Sequence, residues 1–212
     1  MDQVRNDAAG FVVTDLVAVM KANRAYLSEI DGAIGDGDHG INMSKGFGAA
    51  GERLAGAPAG LSQALATLGE TLIEGVGGSM GPLYGNFFGA MAEAVGKRDV
   101  VDAPTFAAML DAGLAAIQEI GGAKVGDKTL LDALVPARDA FAAALAAGRS
   151  FSDALDAMAA AAEKGKESTR DLVARVGRAS RLGERSKGVL DAGATSCALI
   201  LGSMARSLKS QL

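Results

Sequence analysis

The sequence is poor in several residue types, and each shortage excludes a class of protein. Its 212 residues include no tryptophan, one histidine and one cysteine, Cys197, which rules out an internal disulfide and makes a zinc site a poor fit. No apolar run reaches the roughly eighteen residues of a membrane-spanning helix. The net charge is −4 and lysine and arginine form no block, so a footprint for nucleic acid is missing. We expect neither nucleic acid nor a membrane as a partner.

Small and apolar residues, in contrast, are abundant. Hydrophobic residues make up 49% of the chain, and alanine dominates from residue 102 onward, which favours closely packed helices. Apolar positions recur at helical spacing between clusters of Gly, Pro and Asp, so we predict an all-α fold of eight helices with almost no sheet. The predicted helices are 9–29, 41–55, 61–76, 82–97, 104–120, 129–147, 151–175 and 191–209. The N-terminal residues lack the pattern of a secretory signal, which favours a cytoplasmic protein.

Polar residues mark several of the predicted helix starts. Asp102 is placed to cap the fifth helix, which has a proline in its first turn, and Asp191 is placed to cap the last. Ser152 or Asp153 could cap the seventh. These signals fix where helices begin and carry little information about function.

Four connections are unusually rich in glycine and polar residues. They are 31–40, 75–85, 121–129 and 177–193. If the helices run up and down with short connections, the loops after the first, third, fifth and seventh helices fall at the same end of the bundle. The topology therefore predicts one site at that end, built from all four loops.

Three acids, Asp31, Asp36 and Asp38, lie close together in a glycine-rich segment that also contains the only histidine. Crowded carboxylates repel one another unless a cation lies between them, and a hard cation requires oxygen ligands. An EF-hand is excluded, because the twelfth position counted from Asp36 is Phe47 rather than glutamate. The motif predicts Mg²⁺, whose coordination shell substrate phosphates usually complete. The alternative is a solvated acidic turn that caps the next helix.

Two other loops have features that suit phosphate. Glycines at 75–81 precede Pro82, and bare backbone N–H groups at a helix N-terminus can approach an anion. Arg178 lies in a flexible cationic loop and could bind phosphate oxygens, while Asp191 could hold a sugar hydroxyl or simply cap its helix. A generic glycine turn and a surface arginine are the alternatives.

The segment 121–129 is not a Walker A loop, because Asp127 separates the glycine from the lysine and no strand precedes it. Asp127 and Thr129 are instead predicted to cap the sixth helix. No conventional nucleophile occurs in the four loops, and Cys197 lies among apolar neighbours. Phosphoryl transfer, which depends mainly on positioning and charge neutralisation, is compatible with such a site.

Four separated runs of the sequence resemble, in the same order, motifs of DhaL, the nucleotide-binding L subunit of dihydroxyacetone kinases. The runs are IGDGDHGINMSKGF (34–47), GVGGSMGPLYG (75–85), GDKTLLDALVP (126–136) and GRASRLGERSKGVLDAGATS (177–196). The resemblance implies one domain over residues 1–212, folded as an eight-helix up-and-down barrel that binds Mg²⁺ with ADP or ATP at one end. It implies that Asp31, Asp36 and Asp38 hold a pair of Mg²⁺ ions against the nucleotide phosphates.

The same resemblance implies nucleotide contacts and a partner. The contact positions are His39, Gly40, Ile41, Asn42, Ser79, Met80, Gly121, Leu130, Arg178, Asp191, Ala192 and Gly193. Met80, Leu130 and Ala192 stand where the family commonly has serine, methionine and proline. The substrate would be held on a histidine of a separate DhaK subunit, so this chain would carry only the phosphoryl donor.

Several functions stay open at this point. Phosphate could come from freely exchanging ATP, or from ADP held as a coenzyme and recharged by DhaM, a phosphotransferase-system protein; the length of a free-standing subunit slightly favours the second. The ketose could be dihydroxyacetone or a tetrulose such as erythrulose. A regulatory nucleotide-binding module and a magnesium-dependent phosphohydrolase are further alternatives. The barrel interior could be filled by side chains or by a lipid.

Overall fold

The structure, a computed structural model, describes residues 2–56 and 59–212, which contain nine α-helices. Their bounds are α1 Phe11–Ala22, α2 Arg24–Ile34, α3 His39–Leu54, α4 Leu61–Gly75, α5 Met80–Val95, α6 Ala103–Ile120, α7 Leu131–Ala146, α8 Phe151–Ser168 and α9 Ala192–Lys209. The all-α prediction is confirmed. Each predicted helix is present, and only the first is divided in two.

The helices pack side by side in chain order and close into a ring. From α3 to α9 each helix contacts the next, α9 packs against α1, and α1 packs against α3, while α2 lies against α3 and α9. Fully buried phenylalanine rings, in tilted and edge-to-face contact, occupy the core. They are Phe47, Phe87, Phe88, Phe106 and Phe141. This is the predicted up-and-down arrangement, in which alternate connections lie at the same end.

Glycine allows two helix pairs to approach until their backbones touch. A Cβ added at Gly69 of α4 would lie 2.7 Å from the carbonyl oxygen of Gly85 in α5. A Cβ added at Gly165 of α8 would lie 2.1 Å from the carbonyl oxygen of Asp132 in α7. The bias toward small residues in the sequence therefore corresponds to closely packed helices.

The first predicted helix, 9–29, is interrupted and runs further than expected. It breaks at Asn23, whose side-chain amide donates to the carbonyl of Val19 at 2.9 Å and so competes with the helical pattern. The chain then continues as α2 to Ile34. As a result Asp31, which the sequence placed in a loop, lies in the last turn of a helix.

The seventh predicted helix, 151–175, ends earlier than expected. The helix α8 stops at Ser168 and is followed by a short 3-10 turn, Thr169–Asp171. The carbonyls of Thr169 and Leu172 accept hydrogen bonds from the side chain of Lys128, and the carbonyl of Thr169 also accepts from the N–H of Leu172 at 3.3 Å. A second 3-10 segment, Arg178–Ser186, follows before α9.

Of the caps predicted for the fifth, seventh and last helices, two are confirmed. Asp102 accepts a hydrogen bond from the N–H of Thr105 at 2.9 Å, and Asp191 accepts one from the N–H of Ala194 at 2.6 Å. The cap of α8, however, is Ser150, which accepts from the N–H of Asp153 at 3.1 Å. Phe151 already belongs to the helix, so the cap lies before both residues predicted for it, Ser152 and Asp153.

Strand structure in the described residues is confined to one short pair. Strand β1, Gln3–Arg5, pairs antiparallel with β2, Val100–Asp102, just before α6. The buried side chains of Val4 and Val101 face the core from this ribbon. Among residues 2–56 and 59–212, no helix combines the length and the apolar character needed to cross a membrane.

Candidate functional site

The four glycine-rich loops meet around one cavity of about 400 Å³, as the topology predicted. The cavity lies at the end of the ring where α2, α4 and α6 finish and α3, α5, α7 and α9 begin. Most of the predicted site residues line it: Asp31, Asp36, Asp38, His39, Ser79, Met80, Gly121, Leu130, Arg178, Asp191, Ala192 and Gly193. The predicted contacts Gly40, Ile41 and Asn42 do not line the cavity and lie in the first turn of α3.

The three acids converge at one side of this cavity. One carboxylate oxygen from each of Asp31, Asp36 and Asp38 lies within 4.8 Å of the others. Gly35 makes this possible, because a Cβ at that position would lie 2.5 Å from Oδ1 of Asp31. Gly37, with a φ of 79°, then turns the loop back toward α3. The loop thus folds over the end of α2 and brings all three carboxylates together.

The alternative interpretation of these acids is a turn that caps α3. Only Asp38 has the position of a cap. Asp38 occupies the N-cap position of α3, but its side chain makes no capping hydrogen bond. Asp31 accepts a hydrogen bond from the backbone N–H of His39 at 3.3 Å. Asp36 forms an ion pair with the guanidinium of Arg178, which spans the cavity from the opposite loop. A cluster of three carboxylates is thus balanced here by one cation.

The second wall of the cavity is the N-terminus of α5. Gly77 and Gly78 lead into it, and a Cβ at either position would meet nothing within 4 Å, so the loop is open on the cavity side. Ser79 is the N-cap residue and makes no side-chain capping bond. Pro82 lies in the first turn, as predicted. The N–H groups of this turn, with the helix dipole behind them, form a site that favours an anion.

His39 lies beneath the acids in a buried hydrogen-bond network. Its Nε2 is 3.0 Å from Oγ of Ser196, which in turn is 2.7 Å from the hydroxyl of Tyr84. Burial lowers the pKa of His39 to about 4, although the nearby Asp31 acts in the opposite direction. The imidazole is therefore neutral at physiological pH and supports the structure of the loop that carries the three acids.

The third wall is formed by the starts of α7 and α9. A Cβ at Gly193 would lie 3.4 Å from the backbone nitrogen of Leu130, so these two segments touch. Asp191 caps α9 here, and burial raises its pKa to about 7 while the hydrogen bond from Ala194 lowers it. A buried leucine and a capping acid thus lie side by side at the inner end of the cavity.

The loop before α7 differs from its predicted structure. Asp127 does not cap the helix, because its carboxylate accepts from the N–H of Lys124 at 2.9 Å. The acceptor that orders the loop is Asp132, which binds the N–H groups of Gly126 at 2.6 Å and Thr129 at 2.7 Å. Thr129 does not occupy the N-cap position either, which belongs to Leu130, although its hydroxyl accepts from the N–H of Leu131 at 3.2 Å.

Two residues of this region were missed by sequence reasoning. Asp132 and Lys128 are 2% exposed, and both bind backbone groups of the loops around the cavity. A signal for Asp132 was available, since it is a lone acid in an apolar stretch and a buried acid needs partners. Lys128 had no such signal, because a lysine between Asp and Thr resembles any solvated loop residue.

Among the described residues that line the cavity there is no cysteine, and the one histidine is buried. Cys197 is 2% exposed, and burial raises the pKa of its thiol to about 12. His39 is buried and neutral. The site offers oxygen ligands, an anion-binding helix end and a cationic side chain, which together suit a metal-bound polyphosphate.

Comparison with known proteins identifies the family of the chain. Residues 33–206 match the family model described as the DAK2 domain. The "PEP-dependent dihydroxyacetone kinase 2, ADP-binding subunit DhaL" of Listeria innocua is 38% identical over 221 residues, covering 99% of each chain. The "PEP-dependent dihydroxyacetone kinase, ADP-binding subunit DhaL" of Escherichia coli is 37% identical over 192 residues, covering 90% of this chain and 91% of the relative.

A solved structure supports the same assignment at the level of the fold. The dihydroxyacetone kinase from C. freundii, crystallised in complex with AMP-PNP and Mg²⁺, matches with a TM-score of 0.71 and 28% identity. The match covers 96% of this chain and 34% of that kinase, so the chain spans about a third of the kinase's length. The chain belongs to the DAK2-domain family, together with the DhaL subunits of dihydroxyacetone kinases.

Proposed function

We propose that this chain, as a single domain over residues 1–212, is the nucleotide-binding subunit of a dihydroxyacetone kinase. It binds ADP or ATP with Mg²⁺ and passes a phosphoryl group to a short ketose held on a separate subunit. The observation that carries the proposal is the cluster of three carboxylates facing the open N-terminus of α5 across one cavity. Divalent cations between the carboxylates and a polyphosphate would neutralise both sides.

The donor set of the cluster fits magnesium. Asp31, Asp36 and Asp38 offer only oxygen atoms, and Asp38 is not engaged in capping. Mg²⁺ is usually held by one or two protein carboxylates and completes its shell with waters and substrate phosphates. Three acids are therefore enough to hold the two Mg²⁺ ions that we propose. When bound, the ions would neutralise the charge that develops on the transferred phosphoryl group.

The remaining predicted contacts are proposed to position the nucleotide. Leu130, with Gly121 and the segment 191–193, forms an apolar and close-packed end suited to the base and sugar. Ser79 and Met80 open α5 and are suited to the phosphates. Arg178 can neutralise the phosphates once it leaves Asp36, since a cation that competes with a metal for one carboxylate is released when the metal binds.

The first turn of α3 has a different part in this proposal. The loop that carries the three acids is followed directly by Gly40, Ile41 and Asn42, which lie in the first turn of α3. A Cβ at Gly40 would lie 2.0 Å from the carbonyl of Arg24, so the turn is pressed against α2. These residues would fix the loop that carries the acids and contact the nucleotide through backbone groups, with His39 below them.

The acceptor is proposed to arrive on a DhaK-type subunit, because the described residues that line the cavity include no cysteine and their one histidine is buried. The surface around the cavity suits a protein partner. Exposed apolar side chains occur at several helix ends and loops there: Ile41, Ile73, Ile120, Val125 and Val176. Residues 170–187, named here the basic segment, carry six cationic and two acidic side chains in a chain of net charge −4. A partner with an apolar patch and acidic flanks would complement it.

The phosphoryl donor is proposed to be ADP held as a coenzyme and recharged by a DhaM-type phosphotransferase protein. Relatives that match over nearly their full length are named as subunits of PEP-dependent or PTS-dependent kinases. The "L-erythrulose 1-kinase" of Mycolicibacterium smegmatis is 36% identical, but this chain covers only 33% of it. The PEP-dependent arrangement is therefore favoured, and a tetrulose kinase subunit is the less direct alternative.

A cytoplasmic location is part of the proposal. Cys197 is a free buried thiol, and ADP with Mg²⁺ is a cytoplasmic ligand.

The test is an assay of the purified chain with DhaK, DhaM and the general phosphotransferase-system proteins that phosphorylate DhaM from phosphoenolpyruvate, all from Escherichia coli. Desalted protein should retain ADP, and phosphate from phosphoenolpyruvate should reach dihydroxyacetone only when all components are present. Steady ATP hydrolysis by the chain alone would contradict the proposal and favour a phosphohydrolase. Immediate loss of ADP on desalting, with direct use of ATP, would contradict the coenzyme assignment alone.

A further inference from the structure

Lys128 is the one non-glycine residue with a positive φ, 63°, in residues 2–56 and 59–212. Its side chain is long and charged, yet the residue is only 2% exposed. Burial lowers the pKa of its ammonium group. A buried cation on a left-handed backbone is disfavoured twice, so its surroundings must hold it in place.

The ammonium group of Lys128 binds three backbone carbonyls. The distances from Nζ are 2.6 Å to Thr169, 2.6 Å to Val189 and 3.3 Å to Leu172. An ammonium has three N–H donors, so all of them are committed to protein carbonyls. Although Lys128 borders the cavity, it has no donor left for a phosphate oxygen.

These three carbonyls lie at the two ends of the segment that contributes Arg178 to the cavity. Thr169 and Leu172 lie at its N-terminal end, and Val189 follows it. The base of the segment is closed further by a bond of 2.7 Å from the N–H of Gly188 to the carbonyl of Arg170. One ammonium group therefore fastens both ends of this long connection to the start of α7.

The same bonds extend to the start of α9. The hydroxyl of Thr169 accepts from the N–H of Asp191 at 3.0 Å, and Asp191 caps α9 beside the cavity. On the other side, Lys128 is two residues from Leu130, which touches Gly193. The lysine thus lies where the ends of α8, α7 and α9 meet, directly behind the wall that would hold the nucleotide.

We propose that Lys128 is a positioning residue that holds the basic segment and the start of α9 in the arrangement that binds the nucleotide. It acts through backbone carbonyls and does not contact the ligand. This inference rests on the proposed function for its ligand, Mg²⁺ with ADP. It requires that the connection be ordered by Lys128 before any nucleotide arrives.

The experiment compares Lys128→Met with Lys124→Met, a matched control at an exposed lysine of the same loop. Hydrogen exchange is measured on the nucleotide-free chains, and Mg²⁺–ADP binding is measured by calorimetry. In Lys128→Met only, we expect faster exchange of the amides in 169–190 and a loss of ADP affinity of at least about 10-fold. Wild-type exchange and affinity in Lys128→Met would overturn the inference.

Two other outcomes distinguish this inference from a direct contact between Lys128 and the nucleotide, and from a failure of the proposed function. Weaker ADP binding with unchanged exchange would mean that Lys128 contacts the nucleotide, which also overturns it. Failure of the wild-type chain to bind Mg²⁺–ADP would contradict the proposed function, whereas the exchange result on nucleotide-free protein would still test the role of the lysine.

A second variant covers the case in which Lys128→Met does not fold. Lys128→Gly accepts the positive φ without strain and leaves a channel the size of the missing side chain. Added butylammonium, which has the same four carbons and ammonium group, should restore slow exchange in 169–190 and tight ADP binding. Butanol at the same concentration is the control. Equal effects of the two compounds would count against a role for the charge.

Discussion

The two ends of the helix ring differ in how closely their residues follow local conformational preferences. At one end, the β1–β2 ribbon, the Asp102 cap and the Ser150 cap join helices through short connections that obey local preferences. At the other end, three acids crowd together, a lysine adopts a positive φ, and apolar side chains are exposed. Violations of local preference concentrate where ligands and partners would bind. One end thus supplies stability, and the other would supply function.

The largest expected effect comes from neutralising an acid at the site end. Asp36→Asn removes one of the carboxylates proposed to hold Mg²⁺, and we expect at least about a 100-fold loss of Mg²⁺-dependent ADP affinity by calorimetry. Stability should change by less than about 1 kcal/mol, because the lost ion pair with Arg178 is exposed. Asp99→Asn, an exposed acid at the opposite end, is the control. Unchanged ADP affinity in Asp36→Asn would restore the solvated-turn interpretation.

A smaller effect is expected for the surface proposed to meet the partner. Arg181→Glu reverses an exposed charge of the basic segment, and we expect about 5- to 10-fold weaker association with a DhaK-type subunit at low ionic strength. The loss should shrink as salt is added. Lys97→Glu makes the same change in charge at the opposite end and should have no effect. Equal losses from both variants would show that only net charge matters.

The two capping aspartates, one at each end, should respond to pH in opposite ways. Asp191 has a pKa raised to about 7, so between about pH 4 and pH 7 the folded chain keeps a proton that the unfolded chain loses. Its contribution to stability therefore falls as pH rises through this window. In nucleotide-free protein, the Tm of Asp191→Asn should fall less between pH 5 and pH 8 than the wild-type Tm. Parallel Tm curves would contradict the raised pKa.

The smallest effect is expected at the opposite end. The pKa of Asp102 is lowered, chiefly by its hydrogen bonds with Thr105, so its cap stabilises above about pH 4 and is lost as the carboxylate is protonated. Asp102→Ala should lower the free energy of unfolding by about 1 kcal/mol at pH 7 and by progressively less as the pH falls below about 4, by urea titration. ADP affinity should stay at the wild-type value. A loss of affinity here would break the division between the two ends.

Much of the fold could be predicted because the signals are local. Helical periodicity and punctuation by glycine and proline located the helices, and short connections placed the four special loops at one end. The crowding of Asp31, Asp36 and Asp38 followed from their spacing in the chain. Each of these inferences depends on residues close together in sequence.

The parts that could not be predicted depend on contacts between distant segments. The ion pair between Arg178 and Asp36 joins residues far apart in the chain. Just after α8 ends, the carbonyl of Thr169 accepts from Lys128, which comes some forty residues earlier in the chain. The capping role given to Asp127 was wrong because Asp132, inside an apolar stretch, supplies the acceptor instead. Local sequence patterns do not indicate which distant residues will come into contact.

The glycine contacts between helices limit how a ligand can come and go. At Gly69 and Gly165 the backbones of neighbouring helices already touch, so those walls cannot move closer, and separating them would expose well-packed core. For the proposed nucleotide, exchange would then depend on motion of the connections at the open end, above all 169–191. The residence time of ADP would accordingly be set by loop bonds, and enlarging the core should leave it unaltered.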